Sequence, residues 1–200
     1  MSKTLIDFIR HGEPVGGRRY RGKTDDPLSE KGWQQMWQAV ETQRPWQRIV
    51  SSPLLRCAEF ARKLGEQQQI PVAIDERFAE LGYGAWEGKT AEEIEDADPG
   101  AILRYRRDPL QCRPAGAEDM DVFVARYRAA WGDLLEACAG QHALVVAHAG
   151  IVRMALAQVL DIPPSSMFRI EVANAAITRF KIEGQGNDAV ASLVFHAGRL

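Results

Sequence analysis

An α/β fold, with a mostly parallel central sheet flanked by helices on both faces, is predicted from three observations. Short apolar runs occur at Leu5-Ile6-Asp7-Phe8-Ile9, at Ile49-Val50 and at Ala143-Leu144-Val145-Val146-Ala147. Each run ends in a polar residue, and each is followed by a stretch with helical periodicity. Buried strands that alternate with helices require a sheet covered on both sides, and polar residues at the C-terminal ends of such strands stand where open α/β sheets hold ligands.

The first run reads as a buried strand that leads into Arg10-His11-Gly12-Glu13. Trp33, Met36, Trp37 and Val40 then fall at i, i+3, i+4 and i+7, the spacing of an amphipathic helix, and Ser29 is placed to cap it. After Ile49-Val50 comes Ser51-Ser52-Pro53-Leu54-Leu55-Arg56. Ser52 suits an N-cap and Pro53 a first helical turn, so Leu54, Ala58, Ala61 and Leu64 mark the next helix, with Arg56 near its start. The stretch from Phe78 to Gly88 carries Glu80 into a glycine-punctuated loop.

Residues 82–119 read as an excursion over the mouth of the site. Thr90 and Glu93 have capping-box spacing, Asp98-Pro99-Gly100 ends that short helix, and Pro114 to Glu118 leads onward. Met120, Val124, Tyr127, Trp131, Leu134 and Cys138 repeat at threes and fours, marking a long helix packed on the core. The third apolar run ends in His148, Ala149 and Gly150 ahead of a helical pattern from Ile151 to Leu160. Strand-like runs follow at Phe168 to Val172, Ala176 to Ile182 and Ala189 to Phe195.

Two hundred residues with 46% hydrophobic content suffice for one well-filled core, so a single domain over 1–200 is expected. Twenty-five basic and 27 acidic side chains leave a formal charge of −2, which argues against a general nucleic-acid or anionic-membrane binder. Cys57, Cys112 and Cys138 are odd in number and widely spaced, with no zinc-like arrangement, which points to a reducing, cytoplasmic setting. Charged residues interrupt the N-terminal segment before a signal h-region or membrane span can form.

The strand ends carry the chemistry. A histidine there can act as a nucleophile, and an adjacent guanidinium can hold a phosphate through paired hydrogen bonds. Phosphoryl transfer asks a protein chiefly to position the group and to stabilise charge on its oxygens, which Arg10, Arg56 and a second histidine, His148, can supply. His11 must present an unprotonated ring nitrogen, and neighbouring arginines disfavour the imidazolium. Taken singly, Arg56 reads as a surface ion pair, His148 as a strand-end histidine and Glu80 as a solvated carboxylate. Asp75, Glu76 and Glu87 are acids equally near in sequence. His142 and His196 read as ordinary sheet-end or surface residues.

The ordered combination of these pieces resembles the histidine phosphatase superfamily, the group built around phosphoglycerate-mutase-like enzymes and phosphatases. By that resemblance His11 is the phosphate-accepting nucleophile, Arg10 and Arg56 bind the phosphate, His148 completes the site and Glu80 is the proton donor. A dianionic phosphate beside Glu80 penalises a second negative charge, so the acid carries a proton in the complex and can deliver it to the leaving oxygen. The scheme requires neither metal nor cofactor. Gly16-Gly17, Tyr20-Arg21-Gly22 and the run from Asp26 to Gly32 look most like α-ribazole-5′-phosphate phosphatases, although the family's frequent tryptophan-asparagine pair after the first motif is absent. Arg21, Gly22, Tyr83 and Trp86 are the further substrate-contact candidates, whereas Arg18 and Arg19 read as solvated. The expected function is a metal-independent phosphomonoesterase acting on a small phosphorylated metabolite. A phosphoglycerate mutase or phosphatase and a non-catalytic phosphate-dependent binder are the alternatives.

Overall fold

A computed structural model describes residues 3–41, 45–184 and 189–198. Its single sheet contains β1 (Thr4–Arg10), β2 (Arg48–Ser51), β3 (Val72–Ile74), β4 (His142–Ala147), β5 (Ile177–Glu183) and β6 (Val190–Gly198) in the order β3-β2-β4-β1-β5-β6. The pairings of β3 with β2, β2 with β4 and β4 with β1 are parallel, while β5 runs antiparallel to both β1 and β6. The mostly parallel sheet follows from the continuous apolar runs, which suit strands buried on both faces.

Side-chain alternation along these strands divides the core in two. On one face Ile6, Phe8, Ala143, Val145 and Ala147 pack against α5 (Met120–Ala137) and α6 (Ala149–Val159). On the other, Ile9, Leu144 and Val146 pack against α1 (Glu30–Val40) and α2 (Leu55–Gln68). Asp7 shares this second face, buried and held by Trp46 Nε1 at 2.8 Å, Arg179 Nε at 2.7 Å and His142 Nε2 at 2.9 Å. Burial alone would raise the Asp7 carboxyl, but these partners, Arg179 foremost, hold it below its ordinary value. His142 therefore belongs to a buried polar cluster. His196 bridges Thr178 Oγ1 and the Glu171 carbonyl.

Ser29 caps α1 through Gly32 N, and Thr90 and Glu93 form the expected capping box on α3 (Ala91–Ala97). Two expectations are corrected. Phe168 to Val172 is not a strand: Pro163 and Pro164 open a 3-10 turn over Pro164–Arg169, which seats Phe168 against Tyr105 at 4.9 Å between ring centroids. Nor does Ser52 cap a helix whose first turn holds Pro53. The helix starts two residues later, and Asp25 Oδ1 accepts from Leu55 N at 2.6 Å. Ser52 is buried, and its Oγ accepts from Leu54 N at 3.3 Å, ahead of the helix.

The excursion holds α3, α4 (Ala101–Arg107) and a 3-10 turn over Gly84–Trp86. Its base is closed where Glu118 N donates to Gly82 O and Gly82 N donates to Glu118 Oε2, both at 3.0 Å. A small cluster of Ile94, Ala101 and Ile102 packs on Tyr20 and Trp86, tying the excursion to the loop that follows β1.

Candidate active site

Register brings the strand ends together. Arg10 pairs with Ala147 and Ser51 with Val146, while His11 N donates to Ala147 O and Ser52 N to Val146 O. His11, Ser52 and His148 thus leave three adjacent parallel strands at one rim. The His11 and His148 rings lie 5.2 Å apart, edge to face. His11 Nδ1 is 2.7 Å from Gly12 O, and because a carbonyl can only accept, Nδ1 carries the proton and Nε2 the lone pair. Burial, and then Arg10 and Arg56, push the His11 pKa well below 6.5. Burial and the same cations, with His11 itself, do so for His148. The two rings are therefore neutral near pH 7.

Arg10 donates through NH1 to Val172 O at 2.6 Å, and Arg56 donates to Thr24 O at 2.7 Å and Gly22 O at 3.0 Å. The Nε of each is buried without a hydrogen-bond partner. Burial first, with further cations beside it, lowers the Arg10 pKa to about 10. Two orphaned guanidinium donors beside two neutral imidazoles are an unfinished arrangement that an oxyanion would complete.

Glu80 arrives from the C-terminal end of β3. Its Oε1 accepts from Leu81 N at 2.9 Å and from Gly150 N at 3.1 Å, in the first turn of α6. Arg126, on α5, fixes the loop from behind by donating to the carbonyls of Arg77, Ala79 and Glu80 while pairing with Glu118 at 2.7 Å. The other nearby acids are occupied or remote: Asp75 is bound by Arg77, Glu87 accepts from Tyr83 N, and Glu76 is exposed.

The remaining candidates lie around this centre in different roles. Arg21 is buried, but its fork is taken by Asp26 at 2.8 Å and Val15 O at 2.6 Å, so it braces its own loop. Gly22, at φ +50°, sits so close to Tyr83 N and Glu87 that a Cβ would collide with both, and its carbonyl anchors Arg56. Tyr83 is buried with its ring against Tyr20 and Tyr105, and Trp86 packs edge-on against the same two rings. Arg18 is exposed, whereas Arg19 is tied to Gly88 O and Glu93.

Sequence reasoning missed three groups. Ser52 Oγ lies 2.6 Å from His148 Nε2, with both side chains fully buried, so the serine orients the second histidine. Cys57 Sγ packs 3.7 Å from the same nitrogen, and burial pushes its thiol far up. Arg126 carried no local signal for this role, since the three carbonyls it holds are 46 to 49 residues away. Among the described residues no group of three or more His, Cys, Asp or Glu side chains could hold a metal ion, and no helix is long and apolar enough to cross a membrane.

The family described as the histidine phosphatase superfamily (branch 1) matches residues 6–193. The bifunctional protein Rv2228c of Mycobacterium tuberculosis is 30% identical over 90% of this chain, but the chain spans about half (51%) of that relative's length. A glucosyl-3-phosphoglycerate phosphatase of the same organism is 34% identical, covering 82% of this chain and 78% of its own. The structure of mycobacterial glucosyl-3-phosphoglycerate phosphatase Rv2419c with VO3 superposes with a TM-score of 0.85 at 29% identity, covering 96% of this chain and 97% of that one. The α-ribazole phosphatase of Shigella flexneri shares the fold at a TM-score of 0.80, with 24% identity and coverage of 98% and 96%.

Proposed function

Since this chain belongs to the histidine phosphatase superfamily (branch 1), we propose that it is a phosphomonoesterase acting on a small phosphorylated metabolite through a phosphohistidine at His11. The carrying observation is the pair of orphaned buried Nε donors of Arg10 and Arg56 beside the His11 and His148 rings. In this reading Arg10, Arg56 and His148 hold the phosphoryl oxygens, and His11 Nε2 attacks phosphorus in line with the leaving oxygen. The P–O bond breaks as Glu80 delivers its proton to the departing alkoxide. Water then attacks the phosphohistidine, Glu80 takes the water's proton, the N–P bond breaks and inorganic phosphate leaves. No step calls for a metal. The active unit in this proposal is one domain over 1–200, with the excursion at 82–119 bordering the substrate, and its setting is cytoplasmic.

α-Ribazole 5′-phosphate is the substrate drawn from the sequence resemblance, and recognising it calls for an aromatic ring with a free face. Tyr83 and Trp86 are already engaged by Tyr20 and Tyr105, which supports an anchoring role for both rings and moves the question of substrate to the charged groups. A phosphoglycerate mutase would share the first half-reaction but must return the phosphoryl group to an acceptor. A binding protein would share only the anion site. Rapid quench with labelled aryl phosphate separates these readings: the wild type should give an acid-labile, base-stable phosphoenzyme that turns over to inorganic phosphate, and His11→Ala should give none. Normal turnover by His11→Ala would sink the assignment.

A further inference from the structure

The site holds two buried imidazoles 5.2 Å apart, and burial alone does not distinguish a ring that accepts a phosphoryl group from one that only binds it. Their hydrogen bonds do. His11 spends its Nδ1 proton on Gly12 O and keeps a lone pair at Nε2. At His148 the engaged nitrogen is the other one, Nε2, which lies 2.6 Å from Ser52 Oγ.

The direction of this second bond follows from what else the Ser52 hydroxyl can reach. Its oxygen already accepts from Leu54 N at 3.3 Å, and both Ser52 and His148 are sealed from solvent. Cys57 Sγ is the other side-chain neighbour, but sulfur accepts weakly, and this thiol donates to Ala147 O at 3.4 Å. Were Nε2 to carry the proton, the serine hydrogen would have only that sulfur, and no ligand at the site would cure the deficit. The ring would also turn a lone pair at Nδ1 towards any anion it meets. With the serine as donor, the unfinished group is instead an Nδ1–H whose one neighbour within reach is Cys57 Sγ at 3.9 Å. An oxyanion satisfies that donor, as it satisfies the orphaned Nε donors of Arg10 and Arg56.

We propose that Ser52 is a positioning residue that decides which histidine is the nucleophile: by donating its hydroxyl proton to His148 Nε2 it fixes the Nδ1–H tautomer of that ring. His148 then meets the phosphoryl group as a hydrogen-bond donor, with its only lone pair already taken, and cannot compete with His11 Nε2 for phosphorus. This rests on the phosphatase reading above.

Long-range 1H–15N spectra of protein labelled with 15N-histidine read the tautomer directly near neutral pH, with His148→Gln identifying the resonances. Wild-type His148 should show a protonated Nδ1 and a lone pair at Nε2. Ser52→Ala should move the proton towards Nε2, the favoured site in a free neutral imidazole. It should also lower kcat/KM for alkyl and aryl phosphates in parallel, by about tenfold to 10²-fold, because the weakened contact is to the phosphoryl group and not to the leaving oxygen. Ser52→Thr, which keeps the hydroxyl, should hold the tautomer and recover most of the activity. A wild-type His148 protonated at Nε2, a Ser52→Ala protein with an unchanged tautomer, or a loss confined to the alkyl ester would each overturn the proposal. Should Ser52→Ala fail to fold, the wild-type spectrum and the threonine variant decide. Absence of turnover on every ester with the Nδ1–H tautomer in place would instead overturn the phosphatase reading, so the two failures are distinguishable.

Discussion

Glu80 is held by the backbone N–H groups of Leu81 and Gly150, so its position is set by main chain. A general acid matters most when the departing alkoxide is a strong base. Glu80→Gln should therefore lower kcat/KM for an alkyl phosphate by about 10²- to 10⁴-fold while affecting an activated aryl phosphate much less. Steady-state kinetics on the two esters checks this; equal losses would make Glu80 structural, and a larger selective loss in Glu87→Gln would move the role. At this scale the sequence reveals residue types and not their orientation. His11, Arg10 and His148 were legible because each directly follows or ends an apolar strand. Ser52 was not, because the feature that made it look like a cap, its place before Pro53, says nothing of Asp25, which takes over capping from 30 residues away. Arg21 shows the opposite case, since a partner only five residues on, Asp26, pairs with it inside its own loop.

At the scale of elements, the contact between the Glu80 loop and the start of α6 is a close approach. A Cβ on Gly150 would lie 2.3 Å from Glu80 Oε1 and 3.3 Å from its Cδ. The atoms in the way belong to the end of a side chain, so the carboxylate can yield, while replacing glycine by alanine at a conformation alanine can adopt stabilises by about 0.4–1 kcal/mol through the unfolded chain. Gly150→Ala should thus leave thermal stability equal or slightly higher, yet reproduce in weaker form the leaving-group dependence of Glu80→Gln. Melting curves and the same two esters check it; unchanged kinetics on the alkyl phosphate would show that the carboxylate does not need this seat. Helix positions were readable from period and caps, as Ser29 and the Thr90–Glu93 box show. The segment at Phe168 to Val172 was not, because its alternation of apolar residues fits a strand and a 3-10 turn followed by extended chain equally well. Pro163 and Pro164, together with the seat for Phe168 beside Tyr105, decide between them.

For the whole molecule, burying two neutral histidines among arginines couples the site to folding. The native pKa values of His11 and His148 lie well below 6.5, chiefly through burial and then through Arg10 and Arg56. An unfolded chain restores them to about 6.5. Above that pH neither state binds a proton at these rings and they contribute no slope. Below it the unfolded state takes up protons that the native state refuses, so stability falls as pH falls, by up to about 2.7 kcal/mol per pH unit for two groups. Asp7 adds its own acid sensitivity only near and below its ordinary carboxylate range, because Arg179, His142 and Trp46 keep it ionised until then. The window from pH 6.5 to about 4.5 therefore reports mainly on the two site histidines. Urea titrations across that window should show a steady loss of stability, and His148→Gln, which cannot protonate, should flatten the slope by up to half. A wild-type stability that is level from pH 6.5 to 4.5 would mean that the rings accept protons in the native state, and with that the neutral His11 nucleophile would lose its physical basis.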